Sequence, residues 1–117
     1  MSFPVSQTDV RPPALCTIYM FKHADCEICR ASEPILDAWH LKIDADLRTQ
    51  GISARQNLWV VKLDTTYGRN ESYLGFKPKG TPAYLITVNG QVAHKSIGGL
   101  NEVHLDKIWK QIVKATG

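Results

Sequence analysis

Apolar and polar positions change period several times along the chain. Residues 14–21 (ALCTIYMF) form an almost continuous apolar run with β-branched and aromatic members, which predicts a strand buried on both faces. After the polar stretch 22–25, apolar residues recur at three- and four-residue steps from Cys26 to about Gln50. Ile28, Ala31, Ile35, Ala38, Trp39, Lys42, Ile43 and Leu47 carry this stripe, which predicts an amphipathic helix. Pro34 falls inside it and should kink it, because proline has no backbone donor, and Gly51 supplies the stop. Residues 58–63 (LWVVKL) predict a second buried strand, and residues 71–76 a short helix. Residues 82–88 and 91–96 flank Asn89-Gly90, a pair suited to a two-residue hairpin turn because both can take positive φ. Gly98-Gly99 breaks the chain before a last helix at 101–115, with Val103, Leu105, Ile108, Trp109 and Ile112 as its apolar face.

The predicted order is β, α, β, (α), β, β, α, without internal repeats. Residues 1–13, rich in Pro, Ser and polar groups, are expected to be an extended arm, and residues 14–117 one domain. A length of 117 residues leaves no room for a second core. The net charge of +3 is spread along the chain with no basic run, which argues against nucleic acid as a partner. No stretch has the apolar length of a membrane span. The first residues lack the basic start and apolar run of a secretory signal, so a cytoplasmic location is expected, with an exported domain whose signal has been removed as the alternative. A monomer is expected, since there are no heptads.

Chemistry concentrates in residues 22–34, KHADCEICRASEP. The chain has three cysteines, an odd set that argues against a structural disulfide framework. Cys26 stands where a loop meets a helix N-terminus, whose unpaired N–H groups carry partial positive charge and favour a thiolate. Two intervening residues let one helical turn bring the sulfur of Cys29 back to that of Cys26. This makes Cys26 the exposed attacker on a disulfide and Cys29 the buried resolver. Asp25 and Glu27 oppose the thiolate, while Lys22, Arg30 and His23 favour it, so a reducing or middle-range potential is expected. A zinc site is disfavoured, because there is no second CxxC and His40 lies about 15 Å along the helix from the pair. The pair calls for no metal and no cofactor.

CEICRASEP, with Pro34 five residues after the second cysteine, resembles the thioredoxin family. WVVKLD (59–64) is similar to that family's central strand, and KGTPAYLITVNGQVAHKSIGG (79–99) to its Gly-x-Pro loop, hairpin and closing glycines. The resemblance implies a thioredoxin-like α/β fold, a mixed sheet of roughly five strands with helices on both sides. It implies a cis Thr81-Pro82 peptide facing the cysteines, with Thr81 and Pro82 holding an extended substrate segment as a sheet edge does. The activity implied is thiol–disulfide oxidoreduction on protein or small-molecule disulfides, with an upstream dithiol reductant. The alternative is a partner-binding module with little redox turnover. The departures are specific. Met20 stands where the family has a buried acid six residues before the first cysteine, Asp25 replaces the usual tryptophan, and Glu27-Ile28 separates the cysteines. Lys62 matches the family's strand lysine but lacks its usual acid partner, leaving water, Lys62 or Glu27 to serve Cys29 as proton acceptor. The stretch from Pro34 to Lys62 is longer than in a typical thioredoxin. Asp25, Glu27 and Lys62 are thus the residues expected to tune the pair.

Elsewhere, Cys16 is expected to be a buried structural thiol. Trp39, Trp59 and Trp109 are expected to pack, His94 and His104 to lie at the surface, and Tyr67, Tyr73 and Phe76 to precede the Pro82 loop.

Overall fold

The computed structural model describes residues 16–51 and 58–116, and side chains as far as Ile112. The expected N-terminal arm, residues 1–13, lies outside the described residues. The elements run β1 (Cys16–Lys22), α1 (Glu27–Thr49), β2 (Leu58–Asp64), a single 3-10 turn (Thr66–Gly68), β3 (Ala83–Val88), β4 (Gln91–Ile97) and α2 (Glu102–Thr116). The described strands form one mixed sheet in the order β2-β1-β3-β4. β2 lies parallel to β1, whereas β3 is antiparallel to both β1 and β4. The resemblance implied about five strands; four are present among the described residues.

Alternation along the strands divides two cores. Cys16, Ile18 and Met20 of β1, Leu58 of β2, and Tyr84 and Ile86 of β3 face α1 and α2 together. Phe21, Ala83 and Leu85 face the other way, against Tyr19, Leu63 and Phe76. Both described helices therefore cover one face of the sheet, where helices on both sides were expected. On the other face the expected helix at 71–76 is replaced by a tight turn. Tyr73 and Phe76 exchange two backbone hydrogen bonds of 2.9 Å around Leu74 and Gly75, both at positive φ. A Leu-Gly pair in left-handed backbone cannot continue a helix, and the turn delivers its aromatics to the sheet. The Tyr73 ring lies 4.7 Å from that of Tyr19, and Phe76 packs edge-on to Phe21. Tyr67 is 91% exposed.

α1 passes through Pro34 without ending, and its 23 residues reach Thr49. That length takes up part of the extra chain noted between Pro34 and Lys62; residues 52–57 lie outside the described residues. Its buried face is Cys29, Ser32, Leu36, Trp39, Ile43 and Leu47. This corrects the expected stripe in the first half of the helix, where Ile28 is 58% and Ile35 38% exposed. One residue of rotation there puts Cys29 inward and gives a face that looks too polar to be core. Farther along, Trp39 donates its indole N–H to Asp106 Oδ1 at 2.8 Å and packs edge-on to Trp109, joining α1 to α2. In α2, Leu105 and Ile112 are buried, whereas Val103 is exposed.

An ion network fixes the other flank of α1. Glu33 lies 3.0 Å from Lys22 Nζ and 2.8 Å from Lys62 Nζ, and Lys62 lies 2.7 Å from Asp37. Lys62 is thus not without an acid: the carboxylates come from α1, one and two turns beyond Cys29, instead of from β1. Hydrogen bonds from Lys62 and Lys22 hold the Glu33 carboxyl below its ordinary value. Burial pulls the Lys62 ammonium down, but Asp37 and Glu33 more than offset it and the net shift is upward.

The hairpin turn is as expected, with Asn89 at φ 53° and Gly90 at φ 85°. α2 begins at a reciprocal cap: His104 N–H donates to Asn101 Oδ1 at 2.9 Å, and Asn101 N–H to His104 Nδ1 at 3.4 Å. His104 is exposed as expected, while His94 is half-buried.

Replacing Asn101 with Ala removes the acceptor for the first turn of α2 and should lower stability by about 1 kcal/mol, read by urea unfolding. Glu33→Gln should cost up to about 1 kcal/mol at pH 7, since the pair is only partly buried. A carboxyl held below its unfolded value stabilises the fold above that value and loses its contribution as pH falls through the folded one. The difference between wild type and Glu33→Gln should therefore begin to shrink near the ordinary glutamate value of 4.5 and vanish in stronger acid, measured by unfolding across pH.

Candidate functional site

The site forms where the C-terminal end of β1 hands the chain to α1. Loop 23–25 is tied from several sides. Ala24 N–H donates to Thr66 Oγ1 at 3.0 Å, Arg30 Nη1 to Ala24 O at 2.6 Å, and Thr65 N–H to Lys22 O at 2.8 Å. His23 accepts from its neighbours: Asp25 N–H reaches its Nδ1 at 3.0 Å, and Cys26 N–H its carbonyl at 3.1 Å. That acceptance places the ring proton of neutral His23 on Nε2.

Cys26 is the N-cap of α1, with extended backbone at φ −98° and ψ 107°. Its Sγ accepts the N–H of Cys29 at 3.0 Å, so sulfur occupies the place normally filled by a Ser, Thr or Asp oxygen. Cys26 and Cys29 form a disulfide, with Cα atoms 5.1 Å apart. Cys26 is half-buried, whereas Cys29 is 2% exposed in the core between α1 and the sheet. Cys16, the remaining thiol, is buried near the opposite end of β1, and burial pushes its pKa up to about 12. It is protonated and inaccessible, as expected of a structural cysteine.

The β3 side closes over the pair. The Thr81-Pro82 peptide is cis, Pro82 is fully buried, and Thr81 O lies 3.4 Å from Cys26 Sγ. Gly98 N–H donates to Pro82 O at 2.7 Å, holding the Gly98-Gly99 segment against the loop. A Cβ at Gly99 would stand 2.7 Å from Ser32 Oγ and 3.2 Å from Ile28, so a larger residue there would have to displace these side chains in the first turns of α1.

The residues singled out from sequence divide in two. Cys26, Cys29, Thr81 and Pro82 come together, with Asp25 and Glu27 on the exposed rim beside Cys26. Lys62 does not join them; its ammonium is taken up by Glu33 and Asp37. Sequence reasoning passed over these two carboxylates, although the four-residue spacing of Cys29, Glu33 and Asp37 was enough to place them near one helical stripe. It also passed over Lys77 and Lys79, which line a groove sharing His23 and Thr81 with the one at Cys26. Basic residues around a proline look like ordinary solvated loop until the fold sets them along a groove that adjoins the one at Cys26. Among the described residues no three His, Cys, Asp or Glu side chains gather as a metal site, and no helix is long and apolar enough to cross a membrane.

No protein-family model matches the sequence, and no curated protein sequence does. The fold does have counterparts among solved structures. One is thioredoxin-2, described as a component of malaria parasite protein secretion machinery, which matches with a TM-score of 0.61 and 16% sequence identity over 84% of each chain. At that identity the likeness is one of fold: the chain has a thioredoxin-like α/β fold and carries a cysteine pair at CxxC spacing.

Proposed function

We propose that the protein is a thiol–disulfide oxidoreductase that reduces or isomerises disulfides in protein partners through Cys26 and Cys29. The observation that carries this reading is the 3.0 Å hydrogen bond from Cys29 N–H to the sulfur of a half-exposed Cys26, with Cys29 itself buried. A helix-terminal donor aimed at sulfur stabilises negative charge there, which lowers the cost of a Cys26 thiolate.

In the reduced protein, the Cys26 thiolate attacks one sulfur of a partner disulfide. The partner S–S bond breaks, a Cys26–partner disulfide forms, and one partner thiolate leaves and takes a proton from solvent. Cys29 loses its proton and attacks Cys26 Sγ, releasing the second partner thiol and closing Cys26–Cys29. Two electrons pass to the partner, and an external dithiol restores the pair. Thr81 and Pro82 hold the partner segment against Cys26. Asp25 and Glu27 raise the cost of the thiolate and keep the potential toward the reducing side. Lys62 acts at a distance, through the network that seats α1. With its ammonium pKa raised, it is a poor acceptor for the Cys29 proton. Cytoplasmic reduction is the setting this chemistry fits best, with an exported domain whose signal has been removed the alternative.

The second reading, a binding module with little turnover, draws on Met20. This side chain is fully buried in the core that also holds Cys29, so that position offers no proton acceptor.

A redox titration with alkylation and mass spectrometry tests both. A reversible two-electron transition between roughly −120 and −270 mV is expected, nearer the reducing end. Cys29→Ser should accumulate the mixed disulfide, seen as a mass adduct, and Cys26→Ser should form none. A pair that never forms its disulfide in these buffers overturns the enzyme reading, and a Cys26 pKa near 4 overturns the assignment of Asp25 and Glu27.

A further inference from the structure

Resting on the disulfide-exchange reading, we propose that the site selects an extended polypeptide segment with basic residues N-terminal and acidic residues C-terminal to its disulfide cysteine. Two open grooves, each of about 430 Å³, meet at His23 and Thr81. One is bounded by Asp25, Cys26, Glu27 and Ile28, and the other includes Glu71, Lys77, Lys79 and Gly80. The charges at these rims are unneutralised. Asp25, Glu27, Lys77 and Lys79 are exposed, and none has an ion pair among the described residues. By contrast, Lys22 and Lys62 are bound to Glu33, and Arg30 to a backbone carbonyl. The sulfur therefore lies between two unpaired anions on the α1 side, where the Arg30 guanidinium at the Ala24 carbonyl keeps its charge and leaves an excess of one negative charge, and two cations on the loop side. Glu71, whose carboxylate lies beside Gly68, leaves that second groove with an excess of one positive charge.

Thr81 turns this division into a direction. It is shared, with His23, by both grooves, it precedes β3, and its N–H donates to nothing among the described residues. A residue offering both its N–H and its C=O pairs with an antiparallel segment, in which the partner residue returns both bonds. Lys77 and Lys79 precede Thr81 in the chain, so an antiparallel partner lays residues C-terminal to its paired position along them. Acidic residues belong there, and basic residues belong on the opposite side, toward Asp25 and Glu27. Ile28 and Ile97, both more than half exposed and packed beside Gly99 and Gly80, add apolar contact at the centre.

The test uses two peptides of identical composition, one ordered base–Cys–acid and the other acid–Cys–base, each cysteine capped as a disulfide with thiopyridine. Each is mixed with stoichiometric dithiol protein freed of reductant. Cys26 attacks the peptide disulfide, Cys29 resolves, and one disulfide in the protein replaces one in the substrate as peptide thiol and thiopyridone are released. Rates are read from thiopyridone absorbance. The base–Cys–acid order should react roughly tenfold faster at low ionic strength and approach parity at about 1 M salt. Lys77→Glu combined with Lys79→Glu should abolish or invert the preference. Equal rates in the wild type, the opposite preference, or a preference that survives both charge reversals overturns the proposal. Uncharged dipyridyl disulfide separates the two levels of failure. If wild type reacts with it while the peptides are indistinguishable, only the charge order falls; if wild type does not react at all, the exchange reading falls with it.

Discussion

An α-helix begins with N–H groups that its own backbone cannot satisfy, and the way α1 meets that constraint organises the site. Here the cap is a sulfur. The Cys29 N–H ends on Cys26 Sγ at 3.0 Å, so the group that completes the helix is also the group that can carry negative charge. Serine or aspartate in that place would cap as well and do nothing further. The same turn carries Cys29 inward, within disulfide reach of the cap and out of contact with solvent. The two sulfurs thus differ in burial as a consequence of one turn of helix, the division that the proposed attack and resolution would use.

A cap is useful only if the helix end is held in place, and several independent restraints do that. The apolar face from Leu36 to Leu47 seats α1 on the sheet, and Trp39 reaches Asp106 of α2. Glu33 and Asp37 clamp the sheet-side lysines one and two turns behind Cys29. Loop 23–25 is bonded to both Thr66 and Arg30. The opposed shifts of Glu33 and Lys62 keep both groups charged around neutrality. A network of this kind orients an element and supplies a fixed field, but it is badly suited to passing protons.

The strands, both helices and the Asn89-Gly90 turn were legible because each rests on local chemistry: apolar runs, helical spacing, and residues that tolerate positive φ. The cysteine pair was legible for the same reason, since its spacing is a statement about one helical turn. What escaped depended on partners distant in sequence. Ile28 and Ile35 looked like core and Ser32 did not, because hydrophobicity alone could not show that Gly99 would pack against Ser32. Residues 71–76 hold no helix breaker except Gly75, and their conformation is decided by Tyr19 and Phe21 waiting on the sheet. The acids beside Lys62 were sought on β1, and the register that sets Lys62 opposite Met20 sends them to α1 instead.

Met20 bears on how the resolving step is paid for in free energy. A carboxylate buried behind Cys29 would take its proton but would itself need desolvating, a cost the fold must absorb elsewhere. A methionine avoids that cost and packs without a hydrogen-bond partner, which strengthens the core between β1 and α1. Charge lies outward instead, at Glu33 and Asp37, which pair with lysines, and at Asp25 and Glu27, which form no ion pair among the described residues. The result is a site whose interior is apolar and whose rim is charged. Such a site has no buried acid to take a proton and presents its charges at the surface, where the proposed selection by charge order would act.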